Sequence, residues 1–356
     1  MKAVVLSGGQ GTRLRPISHS VPKQLVPVGG RSVLAHVIAD IVAAGITEVV
    51  VVVSPESKAP VETLMTSLDV PTLTVDIAVQ PTPNGLAAAL GVAAPFAGGA
   101  PVLLYLGDCL ITGGIGHVIA EHDSAGADAT ILVAEVDDPS RYGIVEVGDD
   151  GHITRLVEKP KEPTSNLAVV GVYAFGAGIW DALDRVEPSW RGEYEITDAL
   201  QLLVDGGGVV QPSRLRGWWM DTGTIEDVFV ASSRLLAELR PADGADLSGN
   251  RIDGVVVVDP TASVRDSHLI GPVVVGPGTT IVGSVVGPDT TLGRGVEVAD
   301  ATLERSIVMD HAVVGSSTLT RSFLGPRAVV KGVGQLLSVV VGADAVVSLD
   351  DANHPG

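Results

Sequence analysis

Three basic side chains follow a glycine-rich turn close to the start of the chain. The apolar run from Ala3 to Leu6 predicts a buried strand, which ends at Ser7-Gly8-Gly9-Gln10-Gly11. Backbone N–H groups can converge on an anion in such a turn because glycine has no Cβ in the way. Arg13, Arg15 and Lys23 then add positive charge that an ordinary turn does not need. The pattern predicts a phosphate site beyond the end of a strand, and it matches neither the P-loop nor the dinucleotide fingerprint.

Two aspartates in distant parts of the sequence could hold a divalent cation. Asp108 ends the apolar stretch that begins at Pro101, and Asp221 follows Trp218, Trp219 and Met220. Carboxylates beyond the ends of buried strands suit Mg²⁺ that bridges nucleotide phosphates. An aspartate at a strand-to-helix turn is also a common helix N-cap. We favour the metal interpretation because chemistry on a triphosphate needs a divalent ion.

Elements of an α/β domain must position these residues. Strands that are apolar throughout alternate with helices, which indicates a parallel sheet covered on both faces. Ligands bind beyond the carboxyl ends of the strands in such sheets. The pattern predicts helices at Ser32–Gly45, Val61–Leu68, Gly85–Ala94, Ala199–Val204 and Ile225–Leu239, and strands at Glu48–Ser54, Leu73–Val79 and Ala129–Val136.

The C-terminal part of the chain has a different periodicity. Aliphatic residues recur every five or six positions, and glycine often follows them, as in Val275-Gly-Pro and Val286-Gly-Pro. This hexapeptide repeat predicts a left-handed parallel β-helix. We therefore expect a catalytic domain at residues 1–239, a linker at 240–250 and a β-helix at 251–356. His268 and His311 are the candidates for an acyltransferase site there, but we interpret both as surface residues and expect a bracing or assembly role.

Composition limits the partners that the protein can have. The formal net charge is −19, with only 23 Lys and Arg residues, which argues against nucleic acid and anionic membranes. The longest aliphatic run, Val49 to Val53, is too short to cross a bilayer. Cys109 is the single cysteine, and no secretory signal is recognisable, so we expect a protein of the reducing cytoplasm.

Six motifs in a fixed order resemble one enzyme family. They are GGQGTRLRP, PKQLVPV, YLGD, VEKPKEP, WRGEYEITDA and WWMDTGT. The set resembles sugar-1-phosphate nucleotidylyltransferases, and most of all the long-form glucose-1-phosphate thymidylyltransferases of deoxysugar and antibiotic pathways. The resemblance implies a Rossmann-like domain with a mixed, mainly parallel sheet, followed by the β-helix. It also implies dTTP and glucose 1-phosphate as substrates, Mg²⁺ as cofactor and a homo-oligomer.

The resemblance also implies roles for particular residues. It gives catalytic roles to Arg13, Lys23, Lys159 and Arg191; nucleotide binding to Leu6, Gly8, Gly9, Gly11, Thr12, Gln80, Gly85 and Asp108; sugar binding to Cys109, Tyr142, Gly143, Glu158, Gly171 and Trp219; and metal binding to Asp108 and Asp221. Local sequence alone would make Gln80 an exposed loop residue and Glu158-Lys159 a solvated pair. Trp219 could equally be a core aromatic residue.

Two positions carry expectations of their own. Arg191 lies just ahead of a predicted helix, where its guanidinium is expected to be free to bind a phosphate through two N–H groups. Asp198 or Thr197 is expected to cap that helix. Cys109 stands where the family usually has Asn, so the identity of the sugar stays open.

Alternatives to this function remain at the level of the sequence. The base could be uracil, adenine or guanine, and the acceptor another hexose or a cyclitol phosphate. In a different class, the protein could be a regulatory paralogue that binds nucleotide sugars without turning them over.

Overall fold

The computed structural model describes residues 1–241, 245–332, 334 and 336–348. Its contacts form two compact units. The sheet unit comprises Met1–Gly9 and Val33–Asp221, and the β-helix unit comprises Gln10–Ser32 and the chain from Thr222 onward. Within the predicted linker, residues 242–244 lie outside the described residues. The domain boundaries expected from the sequence therefore stay a prediction.

Thirteen strands and eight helices precede the β-helix within residues 1–241. The strands are β1 (Lys2–Ser7), β2 (Pro27–Val28), β3 (Arg31–Ser32), β4 (Glu48–Val53), β5 (Thr74–Val79), β6 (Val102–Leu106), β7 (Cys109–Ile111), β8 (Ala129–Glu135), β9 (Gly143–Val147), β10 (Ile153–Glu158), β11 (Leu167–Phe175), β12 (Val210–Arg214) and β13 (Trp219–Asp221). The helices are α1 (Val33–Ala43), α2 (Lys58–Ser67), α3 (Leu86–Val92), α4 (Ala94–Ala97), α5 (Gly116–Ala125), α6 (Ile179–Leu183), α7 (Ile196–Asp205) and α8 (Ile225–Ala237).

A mixed nine-stranded sheet forms the centre of the sheet unit. Its main path runs β10-β9-β11-β6-β1-β4-β5, and β8 pairs with both β11 and β12. Strands β6, β1, β4 and β5 are mutually parallel, whereas β11 runs antiparallel to β6, β8 and β9. The valines of Val49–Val53 are at most 2% exposed, as expected of a strand covered on both faces. Burial of each such side chain contributes about 1.5–3 kcal/mol to folding.

The seventeen strands described after Asn250 form a left-handed parallel β-helix. They are β14 (Arg251–Asp253), β15 (Val256–Val258), β16 (Ser263–Arg265), β17 (His268–Ile270), β18 (Val273–Val275), β19 (Thr280–Val282), β20 (Val285–Val286), β21 (Thr290–Leu292), β22 (Glu297–Ala299), β23 (Thr302–Glu304), β24 (Ile307–Val308), β25 (Val313–Gly315), β26 (Thr318–Thr320), β27 (Phe323–Leu324), β28 (Val329–Lys331), β29 (Val340–Val341) and β30 (Val346–Ser348). Three parallel sheets divide these strands. Arg251 pairs with His268, so one coil spans 17 residues. The fold class predicted from the sequence is confirmed.

Helix α7 begins differently from the expectation. It starts at Ile196, with the extended residue Glu195 at the N-cap position and no side-chain cap. The prediction that Asp198 or Thr197 caps this helix is wrong, because both residues lie inside its first turn. The carboxylate of Glu195 does not cap the helix either, since it binds other side chains described below.

Candidate active site

The glycine turn and Gln80 lie together at the carboxyl ends of two parallel strands, β1 and β5, that flank β4. Strand β1 ends at Ser7 and is followed by Gly8, while Gln80 directly follows β5. The Gln80 backbone N–H donates to the carbonyl of Val53 in β4 at 2.8 Å. A Cβ on Gly8 would lie 3.4 Å from Oε1 of Gln80, so a larger side chain would crowd that amide. The structure therefore brings the turn at Gly8 and Gly9, which follows Leu6 and Ser7 of β1, next to Gln80.

Gly85 occupies a position that no other residue could hold. Its φ is +118°, and a Cβ there would lie 2.3 Å from the backbone oxygen of Tyr194. The Tyr194 N–H donates to the Asn84 carbonyl at 2.8 Å, and the Ala87 N–H donates to the Tyr194 carbonyl at 3.0 Å. The start of α3 is thus fixed to the segment that precedes α7. The sequence indicated Gly85 but not Asn84 or Tyr194, whose role depends on this long-range contact.

The two predicted metal ligands lie at adjacent positions of a short ribbon. Asp108 directly precedes β7, and β13 pairs antiparallel with β7 so that Asp221 is opposite Cys109. The Cys109 thiol donates to Oδ1 of Asp221 at 3.3 Å. Burial raises the pKa of this thiol, and the nearby charges of Asp221 and Asp108 raise it further. No group of three or more metal-ligating side chains is found among the described residues, but Mg²⁺ often uses only one or two carboxylates together with substrate phosphates.

The predicted sugar-binding residues form contacts in pairs. The rings of Tyr142 and Trp219 meet edge to face with centroids 5.0 Å apart. Gly143 pairs with Glu158 across β9 and β10, and a Cβ on Gly143 would lie 3.1 Å from the Glu158 carboxylate. The remaining pair is Cys109 and Gly171, where a Cβ on Gly171 would lie 2.9 Å from Sγ.

Tyr173 lies near this group of residues and near the carboxylate ribbon. Its side chain is buried in β11, which raises the pKa of its hydroxyl, and the nearby groups of Glu158, Cys109 and Asp221 raise this pKa further. The sequence analysis did not single out Tyr173. An apolar strand offers no signal that one of its members lies beside polar groups.

Arg191 does not have the free guanidinium that the sequence predicted. It forms ion pairs with Glu193 at 3.1 Å and Glu195 at 3.3 Å, and its Nη1 lies 3.6 Å from Glu158. Lys159 also pairs with Glu158, at 3.4 Å. The expectation of a free Arg191 is wrong because a strand end and the turn before α7 surround it with acidic side chains.

Glu195 is the buried member of this ionic group. It is 4% exposed, and its carboxylate accepts hydrogen bonds from the Ser189 hydroxyl at 3.0 Å and from Arg191 at 3.3 Å. Burial raises the pKa of Glu195, and the pKa of Asp198 is raised by burial and by the charge of Glu158. The sequence motifs did not identify Glu195 or Ser189 as residues of the site.

The other predicted phosphate ligands belong to the β-helix unit. Gly11 has φ +61°, and a Cβ there would lie 2.8 Å from Cβ of Lys23. Thr12 begins a short 3₁₀ helix, Thr12–Leu14, that carries Arg13. A Cβ on Gly223 would lie 3.2 Å from Nη2 of Arg13, so this glycine leaves room for the guanidinium. The structure brings these residues together within their unit.

A capped helix follows Gly223 in the same unit. Thr224 and Asp227 form a capping box at the start of α8, with the Thr224 N–H donating to Asp227 at 2.9 Å. The N–H of Gly29 donates to Ser232 of this helix at 3.1 Å, which anchors the end of the loop that carries Arg13 and Lys23.

Comparison with known proteins decides the family. A model described as nucleotidyl transferase matches residues 2–238. The chain belongs to the nucleotidyl transferase family. The family assignment made from the six motifs is confirmed.

Named relatives of this nucleotidyltransferase share two fifths of its sequence. It is 41% identical over 238 residues to the low-salt glycan biosynthesis nucleotidyltransferase Agl11 of Haloferax volcanii, covering 67% of each chain. It is 40% identical over 290 residues to a glucose-1-phosphate thymidylyltransferase of Streptomyces antibioticus, covering 80% of each chain. A solved structure from Bacillus anthracis, assigned as a glucose-1-phosphate thymidylyltransferase and bound to sucrose, is 30% identical with a TM-score of 0.63. That match covers 68% of this chain and 98% of the other.

In the ranges that the structure describes, no helix of this nucleotidyltransferase is long and apolar enough to pass through a membrane.

Proposed function

We propose that this nucleotidyltransferase transfers a nucleotidyl group from an NTP to a sugar 1-phosphate, releasing pyrophosphate and forming an NDP-sugar. The best candidates are dTTP and glucose 1-phosphate, the pair implied by the name of the Streptomyces antibioticus relative. One observation carries the proposal: the Asp108–Asp221 ribbon continues into the predicted sugar group. Cys109 joins them, because its thiol binds Asp221 and lies against Gly171.

The chemistry needs positioning and charge neutralisation more than proton transfer. A phosphate monoester is already a competent nucleophile, so an oxygen of the sugar phosphate can attack the α-phosphorus without a general base. Lys159 and Arg191 would hold the sugar phosphate, and Glu158 would accept hydrogen bonds from sugar hydroxyls. Arg13 and Lys23 keep the roles that the resemblance implies, on the triphosphate and the sugar phosphate. Pyrophosphate is the leaving group.

The donor set fits Mg²⁺ as the cofactor. Asp108 and Asp221 offer carboxylate oxygens at adjacent positions of one ribbon, which is the ligand type that this hard cation prefers. When bound, Mg²⁺ supplies charge neutralisation for the phosphates. Both carboxylates are also close enough to raise the pKa of the Cys109 thiol, so they form a locally negative site.

The experiment that tests the function is pyrophosphate release by the purified full chain with Mg²⁺. All common NTPs should be crossed with hexose and cyclitol 1-phosphates. We expect the highest turnover with dTTP and glucose 1-phosphate. Turnover with another pair alone would keep the reaction and change the substrates, and no release with any pair would favour the regulatory paralogue.

The acceptor is the less constrained of the two substrates. Cys109 is 2% exposed, and its thiol donates to Asp221. This position therefore lacks the side-chain amide with which an Asn could bind a sugar hydroxyl. Another hexose or a cyclitol phosphate therefore belongs in the acceptor panel. A cytoplasmic homo-oligomer is the expected form of the enzyme, which native mass determination would test.

A further inference from the structure

A pocket of about 160 Å³ lies between helix α8 and one corner of the β-helix, where the backbone turns from one parallel sheet to the next. Both of its walls belong to the same compact unit. None of the residues that line it binds a substrate in the proposed function. The pocket is therefore a separate feature of the molecule.

Apolar side chains form much of the wall of this pocket. Phe229 and Val230 of α8 line one side, and Ile307 of β24 lines the other. The ring of Phe229 meets the ring of Phe323 edge to face, with centroids 6.1 Å apart. Val230 is 36% exposed, so a ligand here would remove apolar surface from water. An apolar cavity of about 150 Å³ can hold a benzene ring, so a branched or aromatic side chain fits the size of this pocket.

Charged side chains of both signs also line the pocket. Glu226 and Arg321 neutralise each other through an ion pair. Asp289 and Arg305 do not pair in this way. Within the part of the chain that the structure describes, neither the Asp289 carboxylate nor the Arg305 guanidinium has a hydrogen-bond or ion-pair partner. One anion and one cation are thus left for a ligand.

These two side chains start from equivalent corner positions on adjacent coils. Asp289 and Arg305 both have left-handed backbone angles, with φ of +51° and +46°. The N–H of Arg305 donates to the carbonyl of Pro288 at 2.7 Å, which places the two coils side by side. Adjacent parallel strands lie about 4.8 Å apart. The pocket therefore complements a ligand that carries a positive and a negative charge close together beside an apolar group.

We propose that this pocket binds a free α-amino acid with an apolar side chain. Arg305 binds the carboxylate through two N–H groups, and Asp289 accepts hydrogen bonds from the ammonium. The side chain of the ligand fills the space between Phe229, Val230 and Ile307. A simple inorganic anion fits less well, because Asp289 repels it and the apolar wall cannot replace its hydration.

Ser232 connects the pocket to the loop that carries Arg13 and Lys23. It lines the pocket, and its hydroxyl accepts a hydrogen bond from the N–H of Gly29 at the end of that loop, at 3.1 Å. Occupancy should therefore change KM for the nucleotide, which makes the amino acid an effector. This effect rests on the proposed function, whereas binding itself does not.

Calorimetric titration of the full chain with L-leucine tests the binding. Two analogues separate the charges, since 3-methylbutylamine lacks the carboxylate and 4-methylpentanoate lacks the ammonium. We expect L-leucine to bind with a Kd of about 1 mM, an ordinary affinity for so small a ligand, and each analogue to bind about tenfold more weakly.

Substitutions assign each charge to its residue. Asp289→Asn should weaken L-leucine about tenfold but not 4-methylpentanoate, which has no ammonium to lose. Arg305→Gln should weaken L-leucine and 4-methylpentanoate but not 3-methylbutylamine. Arg265→Gln is the matched control, because Arg265 is exposed on β16 of the same β-helix and does not line the pocket.

The outcomes separate this inference from the proposed function. No saturable binding of L-leucine or L-phenylalanine would overturn the site, as would equal affinities for L-leucine and its two analogues. Equal effects of Arg305→Gln and Arg265→Gln would overturn the role of Arg305, and if Arg305→Gln does not fold, the analogues decide in the wild type. Binding without any change in KM for the nucleotide would overturn the effector role. Absence of pyrophosphate release would contradict the proposed function, and the calorimetric result would still stand.

Discussion

At the scale of single residues, Asp108 and Asp221 are the positions on which the chemistry most depends. We expect Asp108→Asn or Asp221→Asn to lower Mg²⁺-dependent turnover on the order of 100-fold, because an amide cannot replace the charge of a carboxylate. The fold should persist, since both side chains lie at the ends of short strands. Pyrophosphate release and thermal denaturation measure the two effects, and full activity in either variant would refute the metal assignment.

Glu195 offers a second prediction at this scale. Glu195→Gln should raise KM for the sugar phosphate about tenfold, because a neutral amide holds Arg191 less firmly. KM for the nucleotide should stay constant. Glu193→Gln is the matched control, since Glu193 pairs with the same guanidinium but its side chain is 40% exposed. Equal effects of the two variants would argue against a special role for the buried carboxylate.

The pH dependence of the enzyme follows from the same residue. The pKa of Glu195 is raised by burial, and Glu158 and Glu193 raise it further, whereas Ser189 and Arg191 lower it. Glu195 is therefore ionised at high pH, and its charge is lost as the pH falls through this raised pKa. Affinity for the sugar phosphate should decline on the acid side in the wild type. The decline should be smaller in Glu195→Gln when the two profiles are compared.

Motifs identified the types of these residues but not their partners. The sequence places Arg191 beside Glu193 and Glu195, yet spacing alone could not show that the third carboxylate is Glu158 from β10. The hydrogen bond between Cys109 and Asp221 could not be predicted from the sequence either, because it depends on the pairing of β7 with β13. The sequence around a residue does not show which distant segment that residue will contact.

At the scale of elements, the β-helix has internal hydroxyl contacts that link its coils. The N–H of Ser284 donates to the Ser267 hydroxyl at 3.1 Å, and the N–H of Ala301 donates to the Ser284 hydroxyl at 3.1 Å. All three residues are at most 7% exposed. Each hydroxyl satisfies a backbone donor of the next coil where water cannot reach it.

Removal of one such hydroxyl should destabilise the β-helix. Ser284→Ala leaves the Ala301 N–H without its acceptor, which costs about 1–3 kcal/mol of unfolding free energy. Chemical denaturation of the full chain measures the change. Ser348→Ala is the control because Ser348 is exposed in the same β-helix, and an equal loss in both variants would contradict this account.

Predictions for elements were most accurate where one apolar pattern dominated. The expected helix at Ser32–Gly45 is α1, and the expected strand at Glu48–Ser54 is β4. Helix α2 begins at Lys58, three residues before the expected start, because the apolar pattern does not extend over its polar first turn. The antiparallel direction of β11 was not predicted, since apolar runs look alike in either direction.

At the scale of the whole molecule, the chain contributes to each compact unit in two separate segments. The loop of residues 10–32, which carries Arg13 and Lys23, belongs with α8 and the β-helix. A Cβ on Gly30 would lie 2.8 Å from Val274, and one on Gly342 would lie 3.1 Å from the carbonyl of Pro16. The repeat predicted the β-helix, but nothing in it predicted that a loop from the start of the chain packs there.

This packing predicts a long-range effect on activity. Gly342→Leu should displace the loop at Pro16 and lower turnover by about 10- to 100-fold, because small shifts of phosphate-binding groups are costly. Gly334→Leu is the matched control, since a Cβ at Gly334 meets no atom within 4 Å. Pyrophosphate release gives the comparison. Normal activity in a folded Gly342→Leu variant would show that the β-helix and the loop act independently.

The hydrogen bonds of Tyr194 have a thermodynamic consequence for the two substrates. They join the segment that holds Gln80 and Asn84 to the turn that holds Arg191 and Glu195. A substrate that orders one segment also partly orders the other. The second substrate then binds at a smaller cost in conformational entropy. The affinities of nucleotide and sugar phosphate should therefore be cooperative, and by linkage each must strengthen the other by the same factor.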